Sequence, residues 1–77
     1  MSGRLPAIGF RQMDCARRRL GFEPVRQKGS HVFYRHRDGR ATTVPNHGAR
    51  DLARPLVRAI LGDIQITPED FRAVLEG

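Results

Sequence analysis

The sequence contains no tryptophan, one tyrosine and one cysteine among its 77 residues. A single thiol excludes an internal disulfide framework and a cysteine-based zinc site. There is no long hydrophobic run. Leu5, Pro6, Ala7 and Ile8 make too short an apolar stretch for a secretion signal, and no segment has the length and apolarity to span a bilayer. The expected compartment is therefore the cytoplasm, with no membrane partner. Acid is scarce as well: eight Asp and Glu stand against fourteen Lys and Arg, a formal charge of +6. A chain this short is read as one domain, residues 1–77, of marginal stability and without room for a deep enclosed pocket. A substrate would lie across its surface, which suits a polymer better than a small metabolite.

The positive charge is unevenly placed. Residues 1–40 carry ten Lys/Arg and three Asp/Glu, a net +7, whereas residues 41–77 carry four and five, a net −1. Arginines that merely keep a small domain soluble would account for the total. Their concentration in one half points instead to an electropositive face that meets a polyanion, nucleic acid above all.

Residues 1–9 read as a loose lead-in, because Gly3 and Pro6 discourage regular structure. From Phe10 to Leu20 the pattern is helical, with Met13, Ala16 and Leu20 on one face. Cys15, within that helix, reads as a small buried hydrophobe. Arg17, Arg18 and Arg19 complement the C-terminal end of the helix dipole, or contact RNA, and Gly21 is a suitable residue to follow it. Three strand-like runs come next: Phe22 to Gln27, Ser30 to Arg37, and Arg40 to Pro45. Lys28-Gly29 and Asp38-Gly39 are the turns between them, the second a strong signal for a type I′ turn with positive φ at both centres. In the second strand His31, Phe33 and Arg35 alternate with Val32, Tyr34 and His36. Neither set is purely apolar, so the packed face stays undecided at this level.

Asn46, His47 and Gly48 form a loop after Pro45. A second helix follows, with Pro55 in its first turn and an apolar stripe of Leu56, Ile60 and Leu61 flanked by Val57 and Ile64. Thr67-Pro68-Glu69-Asp70 opens a last helix that buries Phe71, Val74 and Leu75. The expected fold class is α+β. It is double-stranded-RNA-binding-domain-like: α-β-β-β-α with a short extra C-terminal helix, and a three-stranded antiparallel sheet with helices on one face.

All three histidines, His31, His36 and His47, fall in or beside the strands. His31 and His36 are five apart in a strand and so face opposite ways. Cys15 is distant, and no acidic cluster accompanies them, so no metal is expected. Proton transfer suits the pattern better. An imidazole titrates near pH ~6.5, and RNA brings its own nucleophile, the 2′-hydroxyl beside the scissile phosphate. Lys28-Gly29-Ser30-His31 offers a base and a cation in one tight turn, with a glycine that lets a phosphate approach. From spacing alone, a surface histidine in a β-turn is the favoured reading.

Residues 20–75 nevertheless resemble the HicA-type mRNA interferase toxins, also called the YcfA family. The resemblance is carried in order by Gly21-Phe22, Arg26-Gln27-Lys28-Gly29-Ser30-His31, Tyr34-Arg35-His36, Asp38-Gly39-Arg40 and Val44-Pro45-Asn46-His47. It implies that residues 10–77 form a HicA-like toxin domain of a type II toxin–antitoxin system. It also implies a metal-independent endoribonuclease that cleaves mRNA to arrest translation, and a HicB-type antitoxin that covers the active face. In that family the histidine of G-S-H is catalytic, which is His31 here. Lys28 and Ser30 would assist it, and Arg26, Gly29, Arg35, Arg37, Arg40 and His47 would contact RNA. No metal or small-molecule cofactor is implied. The alternative from the residues alone is a non-catalytic RNA-binding module.

Overall fold

The computed structural model describes residues 5, 7–48 and 50–77. In chain order these form α1 (Phe10–Arg19), β1 (Phe22–Lys28), β2 (His31–His36), β3 (Ala41–Pro45), α2 (Arg54–Ile64) and α3 (Pro68–Glu76). The strands make one antiparallel sheet in the order β1-β2-β3. The class is α+β, as the sequence pattern predicts.

The undecided face of β2 is settled by burial. Val32 and Tyr34 are buried, and both sit opposite residues of β3 that turn the same way, Val44 and Thr42. With Phe22 they pack on Met13 and Ala16 of α1, Val57, Ile60, Leu61 and Ile64 of α2, and Phe71 of α3. The opposite face carries His31, Phe33 and Arg35 and stays open. Within α2 the buried set is Val57, Ile60, Leu61 and Ile64, while Leu56 is only partly covered, so the stripe is rotated slightly from expectation.

Helix boundaries follow local chemistry. Thr67 caps α3, its hydroxyl accepting the Asp70 amide at 3.1 Å, with Pro68 at the first position and Glu69 and Asp70 in the first turn. Gly21 follows the C-cap Leu20 at φ +89°, and a Cβ there would stand 3.0 Å from His36 Nε2. Only glycine meets both demands.

Four expectations are corrected. The lead-in is not loose where it is described: Leu5 and Ile8 are buried in the core, and Leu52 donates its amide to Ile8 O at 2.7 Å. Leu5 and Ile8 pack in the same cluster as Leu52, from the loop that enters α2. Gly3 and Pro6, on which the loose reading rested, lie outside the described residues. Cys15 is exposed; it lies one residue, about 100° of helix rotation, from the buried Ala16, on the solvent side. The Asp38-Gly39 turn is not type I′. Only Gly39 has positive φ (+101°), Gly39 N–H bonds His36 O at 2.9 Å, and His36 N–H bonds Arg40 O at 2.8 Å. This is a three-residue loop ending in a left-handed bulge residue. The first turn is centred on Gly29-Ser30, with Lys28 as the last residue of β1.

Among the described residues no helix is long and apolar enough to cross a membrane.

Candidate functional site

The first hairpin creates the site. Lys28 and His31 are the pair that closes it, directly opposite each other across β1 and β2. Such pairs hold their Cβ atoms about 4.5–5.5 Å apart on one face of the sheet. The two residues between them are Gly29, at φ +59°, and Ser30, whose φ is negative. That sign pattern belongs to the type II′ turn, which takes glycine at its first central position and matches the twist of the strands. No heavy atom lies within 4 Å of a Cβ built on Gly29, so the turn is open to an approaching group. The Gln27 side-chain amide donates to Gly29 O at 3.0 Å and braces the bend.

A second device puts the cations on this face. Strict alternation from the buried Phe22 would turn Pro24, Arg26 and Lys28 toward the helices. The register, however, runs Phe22↔His36, Glu23↔Arg35, Pro24↔Tyr34, and then Arg26↔Phe33 and Lys28↔His31. Val25 is an extra residue, a β-bulge, and everything after it changes face. Arg26 and Lys28 thereby join His31, Phe33 and Arg35 on the open side. Val25 itself is 58% exposed. Sequence reasoning passed over Val25 and Phe33 as functional residues; Pro24 inside a strand was the available signal, since proline there marks an edge or a bulge.

The Arg26 guanidinium lies over the Phe33 ring, 4.7 Å from its centroid. Arg35 on β2 and Arg37 just beyond it are exposed. His47 is brought to the same end of the sheet as His31: Asn46, its neighbour, donates its amide to Ser30 O at 2.6 Å. The Asn46 side chain accepts from Gly48 N–H at 3.1 Å and folds the loop back on itself.

Arg40 does not join this face. Its Nε bonds Asp38 Oδ2 at 2.9 Å, a terminal nitrogen donates to Ile64 O, and the guanidinium stands over the Phe22 ring. It ties the tip of the second hairpin to the end of α2. His36 also faces the helices, edge-on to Phe22 with ring centroids 5.0 Å apart and Nδ1 3.1 Å from Asp38 Oδ1. The Arg40 amide, then the Arg40 guanidinium and the nearby His36, hold the Asp38 carboxyl below its usual range.

Behind the site, Tyr34 donates its hydroxyl to Asp14 Oδ1 at 2.7 Å, and Arg17 Nε donates to the same oxygen at 3.0 Å. Burial alone would raise the Asp14 carboxyl, but the Tyr34 and Arg17 hydrogen bonds outweigh it and hold it below the ordinary value. Burial, and then the Asp14 partner, push the Tyr34 phenol up. Arg17 also donates to Phe22 O at 3.1 Å, which fastens α1 to the start of β1. Among the described residues no three of His, Cys, Asp and Glu converge as a metal-ion site.

No curated protein matches the sequence. The family described as HicA toxin of bacterial toxin–antitoxin matches residues 10–66, from the first residue of α1 to just past α2 and so including both hairpins. That span is well over half of the chain. With the double-stranded-RNA-binding-like order of elements and the exposed histidine of the G-S-H turn, it establishes that the chain belongs to the HicA toxin family and is the toxin of a toxin–antitoxin pair.

Proposed function

We propose that this toxin is an endoribonuclease that cleaves mRNA, with His31 as the general base and a HicB-type antitoxin as its inhibitor. The observation that carries the reading is the closing pair of the first hairpin. An exposed imidazole faces a lysine across two antiparallel strands, at an open turn, on a sheet face where Arg26 and Arg35 also lie.

The chemistry needs no group beyond what RNA and this face supply. His31 takes the proton of a ribose 2′-hydroxyl. The oxygen attacks the adjacent phosphorus, and the bond to the 5′-oxygen of the next nucleotide breaks. A cyclic phosphate and a 5′-hydroxyl end result. As the phosphorane gains negative charge, Lys28 lies against it, with the Gly29-Ser30 backbone positioning the phosphate. General-base catalysis of this kind is worth about two to four orders of magnitude in rate. His47, at the same end of the sheet, would protonate the leaving oxygen. Arg26, Arg35 and Arg37 hold the flanking phosphates, and this cytoplasmic protein is silenced when its antitoxin covers the face.

The test is incubation of purified, folded toxin with end-labelled RNA. Cleavage in the presence of EDTA, none of the matching DNA, and loss of cleavage by at least about a hundredfold in His31→Ala are expected. If His31→Ala binds and cleaves as wild type does, or if EDTA abolishes the wild-type reaction, the mechanism is wrong. Binding without any cleavage by wild type would leave a non-catalytic RNA-binding module.

A further inference from the structure

The open sheet face holds one feature that proton transfer does not use. The Arg26 guanidinium lies over Phe33, its carbon 4.7 Å from the ring centroid, and the bulged Val25, exposed by 58%, lines the same depression. Thr43, paired with Phe33 on the third strand, completes the floor of the same shallow depression. The Phe33 ring is only partly buried on this face. The arginine, itself exposed, covers one side of the ring.

Phe33 is two residues from His31 on the same strand and the same face. At about 3.4 Å per residue the two stand roughly 7 Å apart along β2. That is the reach of a base from the phosphate of its own nucleotide. The nearest cations are Lys28 on one side and Arg35 on the other, the latter facing Glu23 across the strands. The acid at the rim, Asp63, is engaged by the Thr42 hydroxyl at 3.0 Å. A polyanion with flat apolar faces fits this surface better than a protein side-chain array does.

We propose that Arg26, seated over Phe33, is a stacking platform for the nucleobase adjoining the scissile phosphate of single-stranded RNA. The inference rests on the ribonuclease reading above, and adds that Arg26 acts through its plane and not only through its charge. Guanidinium planes and aromatic rings are the surfaces on which proteins stack unpaired bases. A lysine at the same place would keep the charge and lose the plane.

The decisive measurement uses full-length His31→Ala protein, which cannot cut its ligand, and a short fluorescent single-stranded RNA. Parallel oligonucleotides carry one abasic nucleotide stepped along the chain. Stacking is worth about 1–3 kcal/mol per base, so Arg26→Lys on this background should weaken binding of intact RNA by about 5- to 150-fold at unchanged salt dependence. Phe33→Ala should cause a similar loss, and the two together little more. Against the oligonucleotide lacking the base at the platform, the same substitutions should cost almost nothing. Phe33→Trp should retain binding, which guards against a loss that merely reports misfolding.

If Arg26→Lys binds intact RNA as tightly as the parent while wild type still cleaves, the platform is refuted and the ribonuclease reading survives. If the loss is equal for intact and abasic RNA, Arg26 contacts backbone only and the platform is again refuted. If these variants lose antitoxin and keep RNA, the face is a protein-docking surface. If wild type neither binds nor cuts RNA, both readings fall together.

Discussion

Tyr34→Phe separates the two faces of one strand. The substitution removes a single oxygen from a side chain that is 1% exposed and leaves the ring in place. What is lost is the 2.7 Å hydrogen bond to Asp14 Oδ1. A hydrogen bond to a charged group contributes about 1.5–3 kcal/mol. The lower end applies here, because Arg17 still serves the same carboxylate oxygen and the Asp14 side chain keeps 28% of its exposure to water. A loss of about 1.5 kcal/mol shifts the melting temperature of a domain this small by roughly 6–12 °C.

The sign of the pH dependence follows from Asp14. Its folded pKa is depressed, so its contribution to stability is complete above the unfolded carboxylate value of about 3.9 and is lost as pH falls through the folded value. The deficit of Tyr34→Phe should therefore be full at pH 7 and shrink as the medium is acidified below about pH 4. Thermal unfolding followed by circular dichroism at pH 7, 5, 4 and 3 measures it. RNA cleavage at 25 °C, where both proteins are folded, should be unchanged, since His31 and Lys28 lie on the other side of the sheet. Equal melting temperatures at pH 7, or a deficit that grows with acid, would refute the assignment of this bond. A loss of cleavage without a loss of stability would refute the division of faces.

Other perturbations have similarly defined outcomes. Gly21→Ala forces a left-handed residue and sets its Cβ 3.0 Å from His36 Nε2; denaturant titration should show a loss of at least about 1–2 kcal/mol. Thr67→Ala removes the cap bond to Asp70 and should cost about 1 kcal/mol by the same titration, with cleavage intact. Arg35→Gln should lower the slope of log affinity against log salt by about 0.7, the value for one phosphate contact on a single strand. Arg40→Gln should leave that slope alone and lower stability instead, because its guanidinium is committed to Asp38 and Ile64.

The order of elements was legible because each boundary has a local chemical cause. Gly21 at positive φ stops α1, Thr67 and Pro68 start α3, and Pro45 ends β3. The G-S-H turn was legible as a possible site because glycine, cation and imidazole crowd into four residues. What could not be read was anything that depends on partners far along the chain. Leu5 and Ile8 look like a lead-in until Leu52 and its neighbours close over them. Cys15 and Ala16 are both small, and only the rotation of α1 against the sheet decides which is covered. The face of β2 needed the knowledge that Tyr34 has an acceptor, Asp14, twenty residues earlier in the chain.

The same limit governs how the charge is understood. Fourteen cations over 77 residues, ten of them in residues 1–40, suggest one electropositive face, yet several hold the fold together. Arg17 serves Asp14 and Phe22 O, Arg19 donates to Val74 O at 2.6 Å, Arg40 to Ile64 O, and Arg54 to Leu5 O at 3.0 Å. Each satisfies a carbonyl at an element end or in a loop, where no ladder partner exists. The cations left to face a ligand on the sheet are fewer, and their placement turns on one residue. Because Val25 is extra in its strand, Arg26 and Lys28 stand beside His31 and Phe33 and not against the helices. A composition count cannot distinguish those two arrangements; the bulge does. It converts a strand that alternates out of phase with the open face into one that supplies a guanidinium and an ammonium to the same few ångströms of sheet.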